Sequence, residues 1–100
     1  MGTDDKLFQK AIEQIATKIR KETPKKKWAE VDVLEEARRR YDSTVTSLGF
    51  DAFNADDRDT TDPVDVACFL HAIGIEKGTA ARLAPFACER IAEIALDGPD

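Results

Sequence analysis

Ten residues of this 100-residue chain, Asn54 to Pro63, read NADDRDTTDP and carry four aspartates, Asp56, Asp57, Asp59 and Asp62. Carboxylates at that density could hold a hard cation, cap a helix, or present negative charge to a partner. A calcium loop of the helix–loop–helix type places oxygen ligands at alternate positions, glycine at the sixth and a bidentate glutamate at the twelfth. Counted from Asn54, the sixth position is Asp59 and the twelfth is Asp65, and a start at Asp57 fails as well. A second constellation is Cys68 with His71 three residues on, and Cys88 further along. Two thiolates and an imidazole are soft zinc ligands, but the pair has no second CxxC beside it and lies in a helical pattern. The reading that costs least is a small buried thiol beside a hydrogen-bonded histidine. His71 is the only histidine, and Ser43 and Ser47 have no GxSxG context, so no nucleophile is paired with a base. Phosphate-cradling GxxxxGK[ST] and GxGxxG motifs are absent, and no residue set implies a metal or cofactor. A non-enzymatic protein is the expectation.

Net charge is −5, and its distribution is more telling than its size. Residues 1–48 hold 11 Lys/Arg against 9 Asp/Glu, whereas residues 49–100 hold 4 against 11. Lys18, Arg20, Lys21, Lys25, Lys26 and Lys27 form a basic run relieved only by Glu22, with Trp28 next to it. Asp51 to Asp65 carries six aspartates against Arg58. The acidic half opposes phosphate backbones and favours basic protein partners. Lysines beside a tryptophan could bind nucleic acid or an acidic surface, but cations also complement the negative end of a helix. No apolar run approaches the ~20 residues of a membrane span. The acidic, amphipathic N-terminus is unlike a signal peptide, and two cysteines are too few for a disulfide framework. These features give the expectation of a cytoplasmic protein with reduced thiols.

The elements that would position these residues follow from apolar spacing. Phe8, Ile12, Ile15 and Ile19 recur at helical intervals and predict a first helix from Thr3 or Asp4 to near Glu22, stopped by Thr23-Pro24. Asp32 with Glu35 resembles a capping box and predicts a second helix start. Leu34, Ala37, Tyr41, Val45 and Leu48 form its stripe, and Gly49 ends it in a left-handed turn with Phe50 packed back on Val45. Asp51 to Asn54 would add one turn, with Phe53 inward. Asp62-Pro63 reads as cap plus first helical residue, with Asp65 facing the positive helix end. The third helix, to about Ile73, has Val66, Phe69, Leu70 and Ile73 as its stripe. With Ala67, Cys68 and Ala72 it is apolar nearly all round, which predicts the buried central helix. Gly74-Ile75 stops it. Thr79 would cap a short helix through Ala84, and Pro85 would kink it or begin another, with Leu83, Ala87, Ile91 and Ile94 as the stripe. No strand-like alternation competes. The reading is an all-α, compact single-domain bundle of four to five helices over residues 1–100.

Two local resemblances and one of type bear on function. FLHAIGIEKGTAARL, about 20 residues with its flanks, resembles a helix-turn-helix, which implies DNA contact through Lys77, Thr79 and Arg82. It departs at Leu70, where that motif usually has alanine, and at Pro85, inside the would-be recognition helix. DVACFLHAIGI resembles the opening of a SAM domain, without that family's later helices. In size, acidity, helical build and missing chemistry the chain resembles the small inhibitors that phages and mobile elements encode, such as anti-CRISPR proteins. That resemblance implies an acidic surface docked on the basic site of a nucleic-acid-binding complex. Asp56, Asp57 and Asp59 are the protein-binding candidates, with Asp62 left to the fold. An apolar stripe could equally join two copies of the chain.

Overall fold

The computed structural model describes residues 2–54 and 62–97, and among them the chain forms four helices and no strand. They are α1 (Gly2–Glu22), α2 (Glu30–Asn54), α3 (Pro63–Ala72) and α4 (Lys77–Asp97). The architecture is the all-α bundle that apolar periodicity predicts, at the lower helix count. Candidate residues Asp56, Asp57 and Asp59 lie outside the described residues, as do the side chains of Phe53 and Asn54.

α1 buries Ile12, Ile15 and Ile19 with Ala11 and Ala16, and half-buries Phe8. Each buried isoleucine is worth about 1.5–3 kcal/mol relative to exposure, so this stripe alone commits the helix to the core. Thr23 ends it as predicted: its amide and its hydroxyl both donate to the Ile19 carbonyl, at 3.1 and 2.9 Å. α2 starts two residues before the predicted Asp32, because the Val33 amide already donates to the Ala29 carbonyl. Asp32 is thus inside the first turn, where its charge complements the positive helix end instead of capping it. Ala37, Tyr41 and Val45 are buried, and the Tyr41 ring meets Phe8 edge-on at 5.1 Å between centroids.

Gly49 does not end α2. The helix runs through it to Asn54, and Phe50 is 36% exposed. The glycine is required for another reason. A Cβ there would lie 2.5 Å from Ile94 Cγ2, so its absence lets α2 and α4 approach closely. The expectation of a left-handed turn at Gly49 is therefore corrected; among the described residues Gly74, at φ +121°, is the glycine with a positive φ.

α4 is one continuous helix with Pro85 inside it, not a short helix followed by another. It starts two residues before Thr79, with the Ala80 amide donating to the Glu76 carbonyl at 2.8 Å. It is also the central element, touching α1, α2 and α3. Its buried side chains are mostly small, Ala80, Ala84, Ala87 and Ala95 beside Leu83 and Ile91, which lets three neighbours come close. The expected central role of α3 is corrected. α3 buries Val66 and Leu70 but leaves Val64 69% and Phe69 51% exposed. It rests mainly on α4, and its apolar composition is directed outward as much as inward.

Two measurements check this packing. Gly49→Ala should lower stability by about 1–2 kcal/mol through overpacking against Ile94, despite alanine's better helix propensity. Gly78→Ala, where nothing lies within 4 Å, should be neutral or stabilise by up to about 1 kcal/mol in the same denaturant titration. Burial, and secondarily the charge of Asp42, raises the Tyr41 pKa above its ordinary 10.0. The folded state therefore holds the Tyr41 proton more tightly than the unfolded chain. That stability is fully present below pH 10 and is lost as pH rises above it. Tyr41→Phe should flatten the loss of thermal stability above pH 10.

Candidate functional site

Two regions bear on function: the acidic junction between α2 and α3, and the turn between α3 and α4.

At the junction, the described flanks are firmly built. Asp62 takes the extended N-cap conformation and its Oδ1 accepts from the Val64 amide at 2.9 Å, with Pro63 as the first helical residue. Proline suits that place because its fixed φ is already helical and its missing donor would have been unpaired. Asp65 is exposed in the first turn, as predicted, and Asp51 is exposed on α2. The ion pairs among the described residues join Arg39 and Arg40 to Glu36, Arg40 to Glu22, and Arg90 to Glu93. Arg39 and Arg40 of α2 are thus engaged with glutamates at 2.7–3.5 Å. Hydrogen bonds from Arg39 chiefly hold the Glu36 carboxyl below its ordinary range. The charge of Asp62 reaches α4: burial first, and Asp62 second, push the half-buried Cys88 thiol up.

The histidine is hydrogen-bonded as the sequence suggests, but the thiol is not buried. Cys68 is exposed on the outer side of α3 rather than buried. His71 is hydrogen-bonded, with Nδ1 2.8 Å from the Ile75 carbonyl. A carbonyl only accepts, so Nδ1 carries the proton there. No group of three or more His, Cys, Asp or Glu among the described residues is placed to hold a metal ion.

The α3–α4 turn closes with a Schellman pattern. The Ile75 amide donates to the Leu70 carbonyl at 3.3 Å and the Gly74 amide to the His71 carbonyl at 3.1 Å. α1 supplies the remaining partners. Lys18 Nζ donates to the Ala72 carbonyl at 2.7 Å. Gln14 Oε1 accepts from the Glu76 amide at 2.9 Å, and its Nε2 donates to Thr79 Oγ1 at 3.1 Å. One side chain thereby satisfies an unpaired donor at the start of α4 and a buried hydroxyl. Gln14, Lys18, Ala72, Gly74, Ile75 and Glu76 line a cleft of about 560 Å³ between α1 and the turn. Its polar groups are largely used to finish helix ends. Neither Gln14 nor Lys18 is marked by any sequence motif; each is one polar residue on the rim of an apolar stripe.

The same geometry bears on the helix-turn-helix resemblance. Lys77 and Arg82 are exposed, but Thr79 is 6% exposed and faces α1. Residue 79 is therefore unavailable to a base edge, and Pro85 lies within the helix that would enter the groove. The basic run before α2 is also partly occupied. Lys26 Nζ sits 3.9 Å above the Trp28 ring, and Trp28 Nε1 donates to Thr23 Oγ1 at 2.9 Å. The tryptophan closes the α1–α2 connection and is half-buried.

Comparisons with protein-family models, with curated proteins and with solved structures find no match to this chain. No helix among the described residues is long and apolar enough to cross a membrane.

Removing the Gln14 clamp tests the account of the turn. Gln14→Ala removes two hydrogen bonds and leaves the buried Thr79 hydroxyl without its partner, and should cost about 1–3 kcal/mol in urea unfolding. Gln9→Ala, on the exposed side of α1, should cost less than about 0.5 kcal/mol.

Proposed function

We propose that the protein is a non-enzymatic interaction module that docks an acidic surface on a basic, nucleic-acid-binding site of a partner protein. The phage- or mobile-element-encoded inhibitors of the anti-CRISPR kind are its functional analogues in this reading. The observation that supports it is the concentration of charge at one junction. Asp56, Asp57 and Asp59 fall between two firmly placed helices, and the exposed carboxylates of Asp51, Asp62 and Asp65 flank them. A surface of this kind accelerates encounter with a cationic partner and sets the register of docking, while apolar neighbours supply affinity. Asp62 has a separate duty as the α3 cap, so Asp56, Asp57 and Asp59 are the contact residues.

The test is affinity capture from lysate of the native host, with wild-type bait and the D56N/D57N/D59N variant, at low and high salt. The expected outcome is a basic protein retained by the wild type at low salt and released by high salt. The variant should bind it at least tenfold more weakly, by about 0.5 kcal/mol or more for each lost charge. Added protein should also displace nucleic acid from that partner. Equal affinity of both baits at low salt would overturn the reading. Direct, steeply salt-dependent binding to duplex DNA would instead favour a helix-turn-helix regulator using Lys77 and Arg82.

A further inference from the structure

We infer that the cleft between α1 and the α3–α4 turn, with the lysines on the adjoining side of α1, is a site for single-stranded nucleic acid. The inference goes beyond the acidic-docking reading and uses none of its carboxylates.

Gln14, Thr17, Lys18 and Lys21 line the cleft from α1. They follow one another at helical intervals, and Lys10 and Lys6 extend the same line toward the start of the helix. From Lys6 to Lys21 it runs about 22 Å, at roughly 1.5 Å per residue. Lys25, Lys26 and Lys27 follow just beyond the end of α1, all exposed. None of these lysines belongs to an ion pair among the described residues. The carboxylates beside the line are Glu13 on α1 and Glu76 in the cleft, while Glu22 is engaged by Arg40. Cations therefore outnumber anions along it. An elongated positive surface of this kind complements a linear polyanion.

Lys18 gives the line a fixed point. Its Nζ donates to the Ala72 carbonyl at 2.7 Å, which leaves the other donors of a pinned ammonium for phosphate oxygens. From α3, His71 lines the same cleft and also the groove between α3 and α4, so its ring stands exposed between two open spaces. The bond from Nδ1 to the Ile75 carbonyl, 2.8 Å, holds that ring in place. An oriented imidazole is a stacking platform for a base, and the ammonium groups nearby take the phosphates. At about 560 Å³ the cleft has room for a nucleotide. A duplex keeps its bases stacked inside and could offer this site only phosphate, whereas a single strand can turn a base into it. The ring also separates nucleic acid from an acidic peptide, whose carboxylates would use the lysines and leave His71 without a role.

The test is fluorescence anisotropy of a labelled oligothymidylate with the full chain across salt concentration. Wild type should bind at low salt and release as salt rises. K10E/K21E should weaken binding at least tenfold and flatten the log–log salt slope by about 0.7 for each lysine lost. His71→Ala should weaken it about tenfold through the lost base contact, and His71→Phe, which keeps a ring without the Ile75 bond, should restore most of it. Circular dichroism and thermal unfolding separate these effects from loss of fold. R90E, the same charge change on the later half of α4, should alter affinity by less than about twofold. A duplex of the same length should bind more weakly than the single strand. Absence of oligonucleotide binding at low salt would overturn the inference. So would tighter binding of the duplex, or loss in K10E/K21E without loss in His71→Ala, which is how any acidic polymer such as polyglutamate would behave. D56N/D57N/D59N leaves this site untouched, so its failure and that of the acidic-docking reading are told apart.

Discussion

The seat of Gly74 on α1 is the contact through which α1, α3 and α4 are brought into register. At φ +121° the backbone turns tightly enough for Ile75 to enter the core beside Leu70, both fully buried. A Cβ at this position would lie 2.9 Å from Lys18 Cδ, so the turn and α1 are nearly in backbone contact. That closeness is what lets Lys18 and Gln14 reach the end of α3 and the start of α4. Helix ends carry unpaired amides and carbonyls, and here side chains of a neighbouring helix partner two of them, at Ala72 and Glu76. The turn is therefore both a chain reversal and the docking point of α1.

The other half of the bundle rests on a different use of glycine. Gly49 keeps helical geometry and contributes only a missing side chain, into which Ile94 fits. Together with the alanines of α4 it gives a tightly packed centre built from small residues. Large apolar side chains are left over in consequence. α3, the most apolar helix, lies at the periphery with Val64 and Phe69 in solvent.

Much of the fold is legible in the sequence. The stripe of α1, the Asp62-Pro63 start and the Gly74-Ile75 stop depend on local chemistry, and they appear where that chemistry places them. What is not legible depends on tertiary context. Glycine signals a turn and a close helix crossing with the same letter, so Gly49 reads as a stop. Proline within a helix needs surrounding packing to hold the helix together, so Pro85 reads as a boundary. An all-round apolar helix reads as central unless one knows that alanines elsewhere hold the centre. The site is less legible than the fold. Asp56, Asp57 and Asp59 rest on charge density alone and lie outside the described residues, whereas the exposure of Cys68 and Phe69 and the inward turn of Thr79 required coordinates.

Pro85 has a further consequence for how the chain assembles. Its missing donor interrupts the ladder of α4 between a first part tied to α1 through Thr79 and a second part tied to α2 through Ile94. These ties join residues 65 and 45 positions apart, and both close on the same helix. In vectorial synthesis the core is thus completed late, by one element acting as a splice between two partial cores.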